Sequence, residues 1–285
     1  MHVSYLYTPA LRVDSLIATR QNIIADAIVV DLEDSIHVNA KADARAKAAD
    51  LDVSLFTQQG LRVGIRINTI ASSDGLKDLE LLLQLGARGR RPYEFVLLPK
   101  VGHGNEVKVY KQLFSTLPLP PEVYPFIETT EAVENAENIA AVSDGLCFGQ
   151  ADLIADMYSP NDSYIHYARA RMCVAAARYR LQAIDTNSFE IEDMVKFESE
   201  CVAAKSYGFT AKAAIHPRQV AAINSVFTVT AAQIARYRAL IEAYQRSDVG
   251  FAIVDGQVIA PPFVAKARRM LELYDSYQKH GKEPS

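Results

Sequence analysis

The sequence predicts an α/β fold, a (β/α)8 TIM barrel followed by a C-terminal helix-hairpin-helix extension. Three observations support this prediction. Short apolar runs alternate with longer stretches of helical spacing through most of the 285 residues, the apolar runs number eight, and the alternation stops after the eighth. Eight βα repeats with short connections form a closed barrel more readily than an open doubly wound sheet.

The eight apolar runs are rich in Val, Ile and Leu along almost their whole length. Such composition is typical of parallel strands that are covered on both faces, because a strand with one wet face alternates apolar and polar residues. The predicted strands are residues 3–8, 27–32, 62–67, 95–99, 123–127, 145–149, 182–185 and 212–216.

Stretches with helical spacing lie between the predicted strands. The clearest are residues 74–85, 130–141, 163–180 and 191–207. In the first, Asp74 is an N-cap type residue, and four leucines, Leu76, Leu79, Leu82 and Leu83, fall along one stripe. No G-x-G-x-x-G or G-x-x-x-x-G-K-[ST] loop opens any helix, which counts against dinucleotide or P-loop nucleotide binding.

The pattern changes beyond the eighth strand. Residues 231–246 read as a helix, and residues 250–260 read as two apolar arms around Asp255-Gly256, a strong signal for a two-residue hairpin. A last helix is expected at about 262–277. Since no linker rich in Gly, Ser or Pro interrupts the chain, we expect one domain over 1–285, with the barrel at about 1–228 and the extension at about 229–285.

Charge and composition argue against several classes of partner. The formal net charge is −4, from 30 basic and 34 acidic residues without a basic run, so nucleic acid is not an expected partner. The N-terminus lacks the pattern of a secretory signal, and no apolar run approaches the roughly 20 residues that span a bilayer. The chain has three cysteines, Cys147, Cys173 and Cys201, which are far apart in the sequence. An odd number of separated cysteines does not suggest a disulfide framework or a zinc site, and buried free thiols are expected. We therefore expect a cytoplasmic protein without a membrane partner.

Polar and charged residues end most of the predicted strands. The chemistry of TIM barrels lies at the carboxyl ends of the strands, so these residues are the candidates for a site. They are Thr8, Glu33 with Asp34, Arg66, Lys100, Glu128, Asp152, Asp185 and His216. Their coincidence on one face of one barrel indicates a functional site more strongly than any single residue does.

Glu128 and Asp152 end, or closely follow, strands five and six. Adjacent strand ends lie close together in a barrel, so the two carboxylates are placed to share one cation. Oxygen ligands without His or Cys favour a hard ion, Mg²⁺ or Mn²⁺, over zinc. Water and substrate oxygens would fill the remaining positions of an octahedral site.

Arg66 ends strand three, where a guanidinium is suited to hold a substrate carboxylate through paired hydrogen bonds. Glu33 and Asp34 add negative charge near the expected cation and are candidates to take a proton.

Structural interpretations stay open for several strand-end residues. Asp34 and Asp185 are also typical helix caps, Lys100 also suits ion pairs on the rim, and His216 precedes a proline in a turn.

Longer stretches of the chain resemble one known family. The matching stretches, in order, are YTPALRVDSL, VVDLEDSI, RIN, LLPKV, FIETTEAVENAENIA, DGLCFGQADLIADM, YARARMCVAAA, AID and GFTAKAAIHPRQV. The resemblance extends from about residue 4 to about residue 270, and it is to the citrate lyase β-subunit-like (CitE-like) branch of the HpcH/HpaI aldolase superfamily. This superfamily also includes malyl-CoA and citramalyl-CoA lyases.

The resemblance implies a set of site residues. It implies Mg²⁺ bound by Glu128 and Asp152, with Arg66 gripping the carboxylate of a keto acid or hydroxy acid. It places substrate binding at Gly149 and Ala151 as well as at Arg66 and Asp152.

The resemblance also implies an activity. This is a Mg²⁺-dependent carbon–carbon lyase or aldolase, with Glu33 and Asp34 near the metal and a base to move the proton. The substrate would be a short hydroxy-dicarboxylate or keto acid, as the free acid or as a CoA thioester of the citramalyl-CoA, malyl-CoA or citryl-CoA type. Relatives assemble as trimers or hexamers, so a homo-oligomer, with homotrimer as the first expectation, is implied.

The chain departs from the family near its C-terminus. Many CoA-lyase relatives carry an acidic residue in a segment of the form M-[IV]-D-x-P, and this residue is taken as the general acid/base. Here residues 257–261 read QVIAP, so the expected position is Ala260, which cannot move a proton. Three explanations stay open: Asp255 substitutes; Glu33, Asp34 or a metal-bound water does the work; or the protein has another role. That role would be a biosynthetic aldolase of a secondary pathway or a non-catalytic protein that binds metal and keto acid.

Overall fold

A computed structural model describes residues 2–88, 93–158 and 161–278 of the chain. Residues 1 and 279–285, at the two ends of the expected domain 1–285, lie outside the described residues. The chain divides into two compact units, which are described separately. Of the described residues, those within Val3–Phe227 form the barrel unit, and His2 with residues 228–278 forms the C-terminal unit.

Eight parallel strands close into a barrel in chain order, with β8 paired to β1. The strands are β1 (Ser4–Pro9), β2 (Ala27–Asp31), β3 (Arg62–Arg66), β4 (Phe95–Leu98), β5 (Glu122–Ile127), β6 (Gly145–Phe148), β7 (Gln182–Asp185) and β8 (Ala211–Ala214). Each begins and ends within two residues of its predicted bounds. The predicted TIM barrel is therefore confirmed.

The barrel interior is filled by large side chains that alternate along the strands with residues facing the helices. Phe95 stacks on Tyr124 with ring centroids 5.3 Å apart and meets Tyr5 edge-on at 5.7 Å. Gly64 makes room for this cluster, because a Cβ at that position would lie 2.1 Å from the Phe95 ring. The interior is thus packed, and the open space lies at the carboxyl ends of the strands.

Helices surround the barrel. They are α1 (Val13–Thr19), α2 (Lys41–Asp50), α3 (Ser54–Thr57), α4 (Ser73–Ala87), α5 (Gly104–Phe114), α6 (Thr130–Glu134), α7 (Ala136–Ala140), α8 (Gln150–Ala155), α9 (Asp162–Tyr179), α10 (Met194–Tyr207) and α11 (Pro217–Phe227). None of the helices in the described part of the chain is long and apolar enough to cross a membrane. The three cysteines are buried and free, as predicted.

Three helices differ from their predicted bounds for local reasons. The helix predicted at 74–85 is α4 (Ser73–Ala87), and its N-cap is Ser72 rather than Asp74, because the Ser72 hydroxyl accepts a hydrogen bond from the Gly75 N–H at 3.0 Å. The helix predicted at 130–141 is broken between α6 and α7 at Asn135, whose side-chain amide donates a hydrogen bond of 3.0 Å to the Gly102 carbonyl. The helix predicted to begin at residue 191 begins at Met194, because Asp193 is its N-cap and accepts a hydrogen bond from the Lys196 N–H at 2.9 Å.

The C-terminal unit is the predicted helix, hairpin and helix. It contains α12 (Ala231–Gln245), β9 (Ala252–Val254), β10 (Gln257–Ile259) and α13 (Pro261–Gln278). Asp255 and Gly256 have φ angles of 50° and 75°, the left-handed pair that a two-residue hairpin turn requires. A small apolar cluster joins the elements and contains Leu240, Ala252, Ile259 and Val264.

Candidate active site

A cavity of about 360 Å³ opens at the carboxyl ends of the barrel strands. Its lining includes the predicted residues Asp34, Arg66, Glu128, Gly149, Ala151 and Asp152, with Tyr7, Asp31 and Phe126 beside them. Of the residues predicted for the site, Glu33 is absent from this lining; it is 7% exposed and lies against Arg66, with Oε2 2.8 Å from Nη1. The fold therefore brings all seven predicted site residues to one rim.

Glu128 and Asp152 come to the same side of the cavity from neighbouring elements. Glu128 follows β5 directly and is 2% exposed, whereas Asp152 is in the first turn of α8, just after β6. Lys100 contacts both: its backbone N–H donates to Glu128 Oε1 at 2.7 Å, and its Nζ lies 3.6 Å from Asp152 Oδ1. Gly149 allows the Glu128 side chain to lie close to the backbone at the start of α8, because a Cβ at residue 149 would lie 2.3 Å from Glu128 Oε2.

Lys100 has an unusual backbone conformation at the end of β4. Its φ angle is 54°, in the left-handed region that a residue with a Cβ occupies at a cost of about 1 kcal/mol or more. In this conformation its N–H points at the Glu128 carboxylate while its side chain reaches Asp152. Lys100 thus forms an ion pair on the barrel rim, as the sequence allowed, and its partner is the candidate site residue Asp152.

The carboxylates of this rim are crowded. Burial, together with the charges of Glu33 and Asp152, raises the pKa of Glu128 to about 8, and the hydrogen bond from the Lys100 N–H offsets only part of this rise. Burial likewise raises the pKa of Glu33 to about 7, with Arg66 opposing this effect and the neighbouring acids reinforcing it. Buried carboxylates that repel one another are stabilised by a shared cation.

The donor set fits a hard divalent cation. Glu128 and Asp152 supply oxygen atoms, and among the described residues no His or Cys side chain other than the buried thiol of Cys147 lines the cavity. Within residues 2–88, 93–158 and 161–278, no group of three or more His, Cys, Asp or Glu side chains is arranged to hold a metal ion. A cation here would therefore have two protein carboxylates, which suits Mg²⁺ because this ion usually keeps several waters or substrate oxygens.

Arg66 is held in place by a residue that the sequence analysis did not select. Its Nε and Nη2 donate to the two carboxylate oxygens of Asp31 at 2.7 and 2.8 Å, and its Nη1 lies 3.3 Å from Asp34 Oδ2. The guanidinium also lies over the Tyr7 ring, 5.4 Å from its centroid. Burial would raise the pKa of Asp31, but hydrogen bonds from Arg66 and from the following loop keep it below its usual range. Arg66 is therefore oriented in advance of any ligand.

Asp185 and His216, two other strand-end residues, have structural roles. Asp185 is not a helix cap: it is 1% exposed and forms ion pairs of 2.7 Å with both Arg169 and Lys212. His216 has the expected role in a turn, since its Nδ1 accepts a hydrogen bond from the Arg218 N–H at 3.2 Å. Lys212 was not predicted, although a lysine inside the apolar run of β8 is the signal of a buried charge that needs a partner.

The chain is similar to known proteins over most of its length. The profile of the HpcH/HpaI aldolase/citrate lyase family matches residues 4–217. A citrate lyase subunit beta-like protein of Deinococcus radiodurans is 30% identical over 280 residues, covering 94% of this chain and 95% of the relative. A (3S)-malyl-CoA thioesterase of Cereibacter sphaeroides is 30% identical over 279 residues, covering 94% and 93% respectively. The mitochondrial citramalyl-CoA lyase of Mus musculus is 28% identical, covering 89% and 80%.

Solved structures show the same fold. The structure of CitE from Mycobacterium tuberculosis in complex with magnesium, acetoacetate and coenzyme A matches with a TM-score of 0.74 and 26% identity, over 95% of this chain and 97% of that chain. The family profile covers well over half of the chain, and the first relative named above covers nearly all of it. The chain therefore belongs to the HpcH/HpaI aldolase/citrate lyase family.

Proposed function

We propose that the protein is a Mg²⁺-dependent lyase that cleaves a carbon–carbon bond in the CoA thioester of a short hydroxy acid. The observation that supports this proposal most directly is the convergence of Glu128, Asp152 and Arg66 on one cavity at the barrel rim. The two carboxylates are suited to bind a cation, and the neighbouring guanidinium is suited to bind an anion. A small carboxylic acid substrate would contact both.

The substrate class is inferred from the relatives. One of them is named for the cleavage of citramalyl-CoA, another for the hydrolysis of (3S)-malyl-CoA, and a solved relative holds magnesium together with acetoacetate and coenzyme A. We propose the same class of ligands, a short keto acid or hydroxy acid with or without CoA, for the cavity of this chain.

Each polar residue of the rim has a proposed role. Glu128 and Asp152 would hold Mg²⁺, or Mn²⁺ in its place, which supplies Lewis-acid polarisation of substrate oxygens when it is bound. Arg66 would bind the substrate carboxylate, and Gly149 and Ala151 would leave space for it beside Asp152.

The two acids that follow β2 divide the remaining work. Asp34, which lines the cavity, would take the hydroxyl proton of the substrate, and Glu33 would keep Arg66 in place through its contact with Nη1. As the hydroxyl oxygen forms a C=O bond, the adjacent C–C bond breaks and its electron pair passes to the thioester enolate. The proton that Asp34 has taken would then pass to the enolate carbon to give acyl-CoA, and the keto acid or aldehyde would leave as the second product.

An assay with two readouts tests this proposal. Purified protein is incubated with citramalyl-CoA or malyl-CoA in Mg²⁺ or EDTA, and both the keto product and the free CoA thiol are measured. We expect a keto acid or aldehyde in Mg²⁺ without release of free CoA, and no product in EDTA. Free CoA without a keto product would instead show thioester hydrolysis, the second candidate function, which the similarity to (3S)-malyl-CoA thioesterase favours.

Ala260 supports a further alternative. The residue that precedes α13 has no ionisable group, so a non-catalytic protein that binds metal and keto acid, or an aldolase of a biosynthetic pathway, would also suit the chain. Binding of Mg²⁺ and pyruvate without turnover of either thioester would favour the non-catalytic role. Condensation of a keto acid with an aldehyde, without thioester cleavage, would favour the biosynthetic role.

We also propose a homo-oligomer, with a trimer as the first expectation. The C-terminal unit exposes Phe251, Ile253, Val258 and Phe263 by 44–67%. Apolar side chains exposed together on a small unit are typical of a surface that packs against a partner. Light scattering of the purified protein, compared with an Ile253→Ser and Val258→Ser double variant, tests this expectation.

A further inference from the structure

A buried cluster of three charged side chains lies beside the cavity that holds the proposed metal ligands, and of the three only Asp185 also lines that cavity. Asp185 at the end of β7 is 1% exposed, Lys212 on β8 is 2% exposed and Arg169 on α9 is 9% exposed. Lys212 Nζ donates to Asp185 Oδ2 at 2.7 Å, and Arg169 Nη2 lies 2.7 Å from Asp185 Oδ1. Asp185 and Lys212 are direct partners in the β7–β8 register, so the barrel itself fixes this pair.

The cluster extends by hydrogen bonds to the first residue of α8. Arg169 Nη1 donates to the side-chain oxygen of Gln150 at 3.0 Å. Lys212 Nζ donates to the Thr186 carbonyl at 2.8 Å, and the Thr186 hydroxyl accepts the Gln150 N–H at 3.4 Å. Both the side chain and the backbone of Gln150 are thus held by the cluster.

The hydrogen bonds to Gln150 lie next to open space. Gln150, Arg169, Asp185 and Lys212 line a second cavity of about 570 Å³, so open space lies beside the start of α8. Gly149, the N-cap of α8, has no side chain with which to cap the helix, and the Thr186 hydroxyl takes this role for Gln150.

Stability alone does not account for the cluster. Two cations and one carboxylate are costly to desolvate, and apolar side chains of similar volume are often as stable in such places. Apolar side chains could not make the directed hydrogen bonds that hold Gln150 and Thr186 in place. A positioning role therefore fits the cluster better than a role in stability.

We propose that Arg169, Asp185 and Lys212 position Asp152, through Gln150 and the first turn of α8, and so set the affinity for the divalent cation. This inference rests on the proposed function, because it takes Asp152 as a metal ligand. Asp152 lies two residues after Gln150 in the same helical turn, so a movement of Gln150 is transmitted to it by the helix backbone.

The first test replaces Gln150 with Met, which has a similar size but accepts no strong hydrogen bond. Gln182→Met is the matched control, because Gln182 also accepts a side-chain hydrogen bond, 2.7 Å from Tyr5 Oη, but it begins β7 at the opposite end of the barrel. Mg²⁺ affinity is measured by titration calorimetry on the full chain, and thermal unfolding is measured in EDTA. We expect Gln150→Met to weaken Mg²⁺ binding about tenfold. Gln182→Met should leave the Mg²⁺ affinity unchanged. The melting temperatures of the two variants in EDTA should be lowered by similar amounts.

The second test asks whether Gln150 and Arg169 act together. In Arg169→Lys the ammonium can still pair with Asp185, but a single point donor cannot also hold Gln150 in the same geometry. We expect Arg169→Lys to weaken Mg²⁺ binding about as much as Gln150→Met, and the double variant to be no weaker than either one.

The outcomes separate this inference from the function on which it rests. Wild-type protein that binds no Mg²⁺ would overturn both. Wild-type protein that binds Mg²⁺, together with an unchanged affinity in Gln150→Met or additive losses in the double variant, would overturn the positioning role alone.

Discussion

Arg66 and Asp31 form a two-pronged ion pair, with Nε to Oδ1 at 2.7 Å and Nη2 to Oδ2 at 2.8 Å. The two residues are also direct partners in the β2–β3 register, so the barrel places their backbones side by side. The pair uses the Nε edge of the guanidinium. A substrate carboxylate would therefore approach Arg66 from the Nη1 side, where Glu33 and Asp34 now lie.

Asp31→Asn should weaken keto acid binding without abolishing Mg²⁺ binding. The amide keeps the shape of Asp31 but loses the charge that orients Arg66, and a hydrogen bond to a charged group contributes about 1.5–3 kcal/mol. We expect roughly a tenfold rise in the Kd of pyruvate, measured by calorimetry in saturating Mg²⁺. Glu122→Gln is the control, because Glu122 pairs with Arg62 at 2.9 Å at the other end of the barrel. An unchanged pyruvate Kd in Asp31→Asn would show that Asp31 does not orient Arg66 for binding.

Gly149→Ala should disrupt the proposed metal site. The added Cβ would lie 2.3 Å from Glu128 Oε2 and 2.6 Å from Glu128 Cβ, so the Glu128 side chain would have to move. We expect Mg²⁺ affinity to fall by about tenfold or more in calorimetry. Gly250→Ala is the matched control, because a Cβ there meets no atom within 4 Å. Equal Mg²⁺ affinities in the two variants would count against Glu128 as a ligand.

Lys100→Met should tighten Mg²⁺ binding. The ammonium lies 3.6 Å from Asp152 Oδ1 and would repel a divalent cation bound to that carboxylate. We expect an increase in affinity of about fivefold at low salt, and a smaller one at high salt, because exposed charges are screened. Lys111→Met is the control, since Lys111 pairs with Asp144 at 2.7 Å, at the amino end of β6. Weaker Mg²⁺ binding in Lys100→Met would instead assign Lys100 a supporting role at the metal.

The metal-free protein should lose stability as the pH rises. The folded state raises the pKa of Glu33 to about 7 and of Glu128 to about 8, from ordinary values near 4.5. Folding therefore favours the protonated forms. Their stabilising contribution is complete below about pH 4.5 and is lost as the pH rises through 7 and 8.

Thermal unfolding in EDTA between pH 5 and 9 measures this effect. The wild-type melting temperature should fall relative to that of Glu128→Gln across this range, and Mg²⁺ should restore it most strongly at high pH. A difference between the two proteins that does not vary with pH would contradict the raised pKa of Glu128.

Much of this fold could be predicted from local patterns. Eight apolar runs and the Asp255-Gly256 turn specify the barrel strands and the hairpin, because strand length and turn chemistry are written in neighbouring residues. The break at Asn135 could not be predicted, since it depends on a hydrogen bond to Gly102, 33 residues away in the chain.

The candidate site was predictable only in part, because some of its contacts join residues that are far apart in the chain. Residues that follow strand ends, such as Glu128 and Asp152, stand out in the sequence because the barrel places all strand ends at one rim. Asp31 and Lys212 are hidden inside apolar runs, and their partners are set by strand register and helix packing. Such long-range pairs need the three-dimensional structure.

Titration of Mg²⁺ into the wild-type protein, Glu128→Gln and Asp152→Asn by calorimetry is the most direct test of the central claim, that these two carboxylates bind one cation. The amides keep the size of the side chains and remove only their charge, so loss of folding is not expected, and circular dichroism checks this. We expect one Mg²⁺ per chain in the wild type and no measurable binding in either variant. Wild-type affinity retained in both variants would contradict the claim.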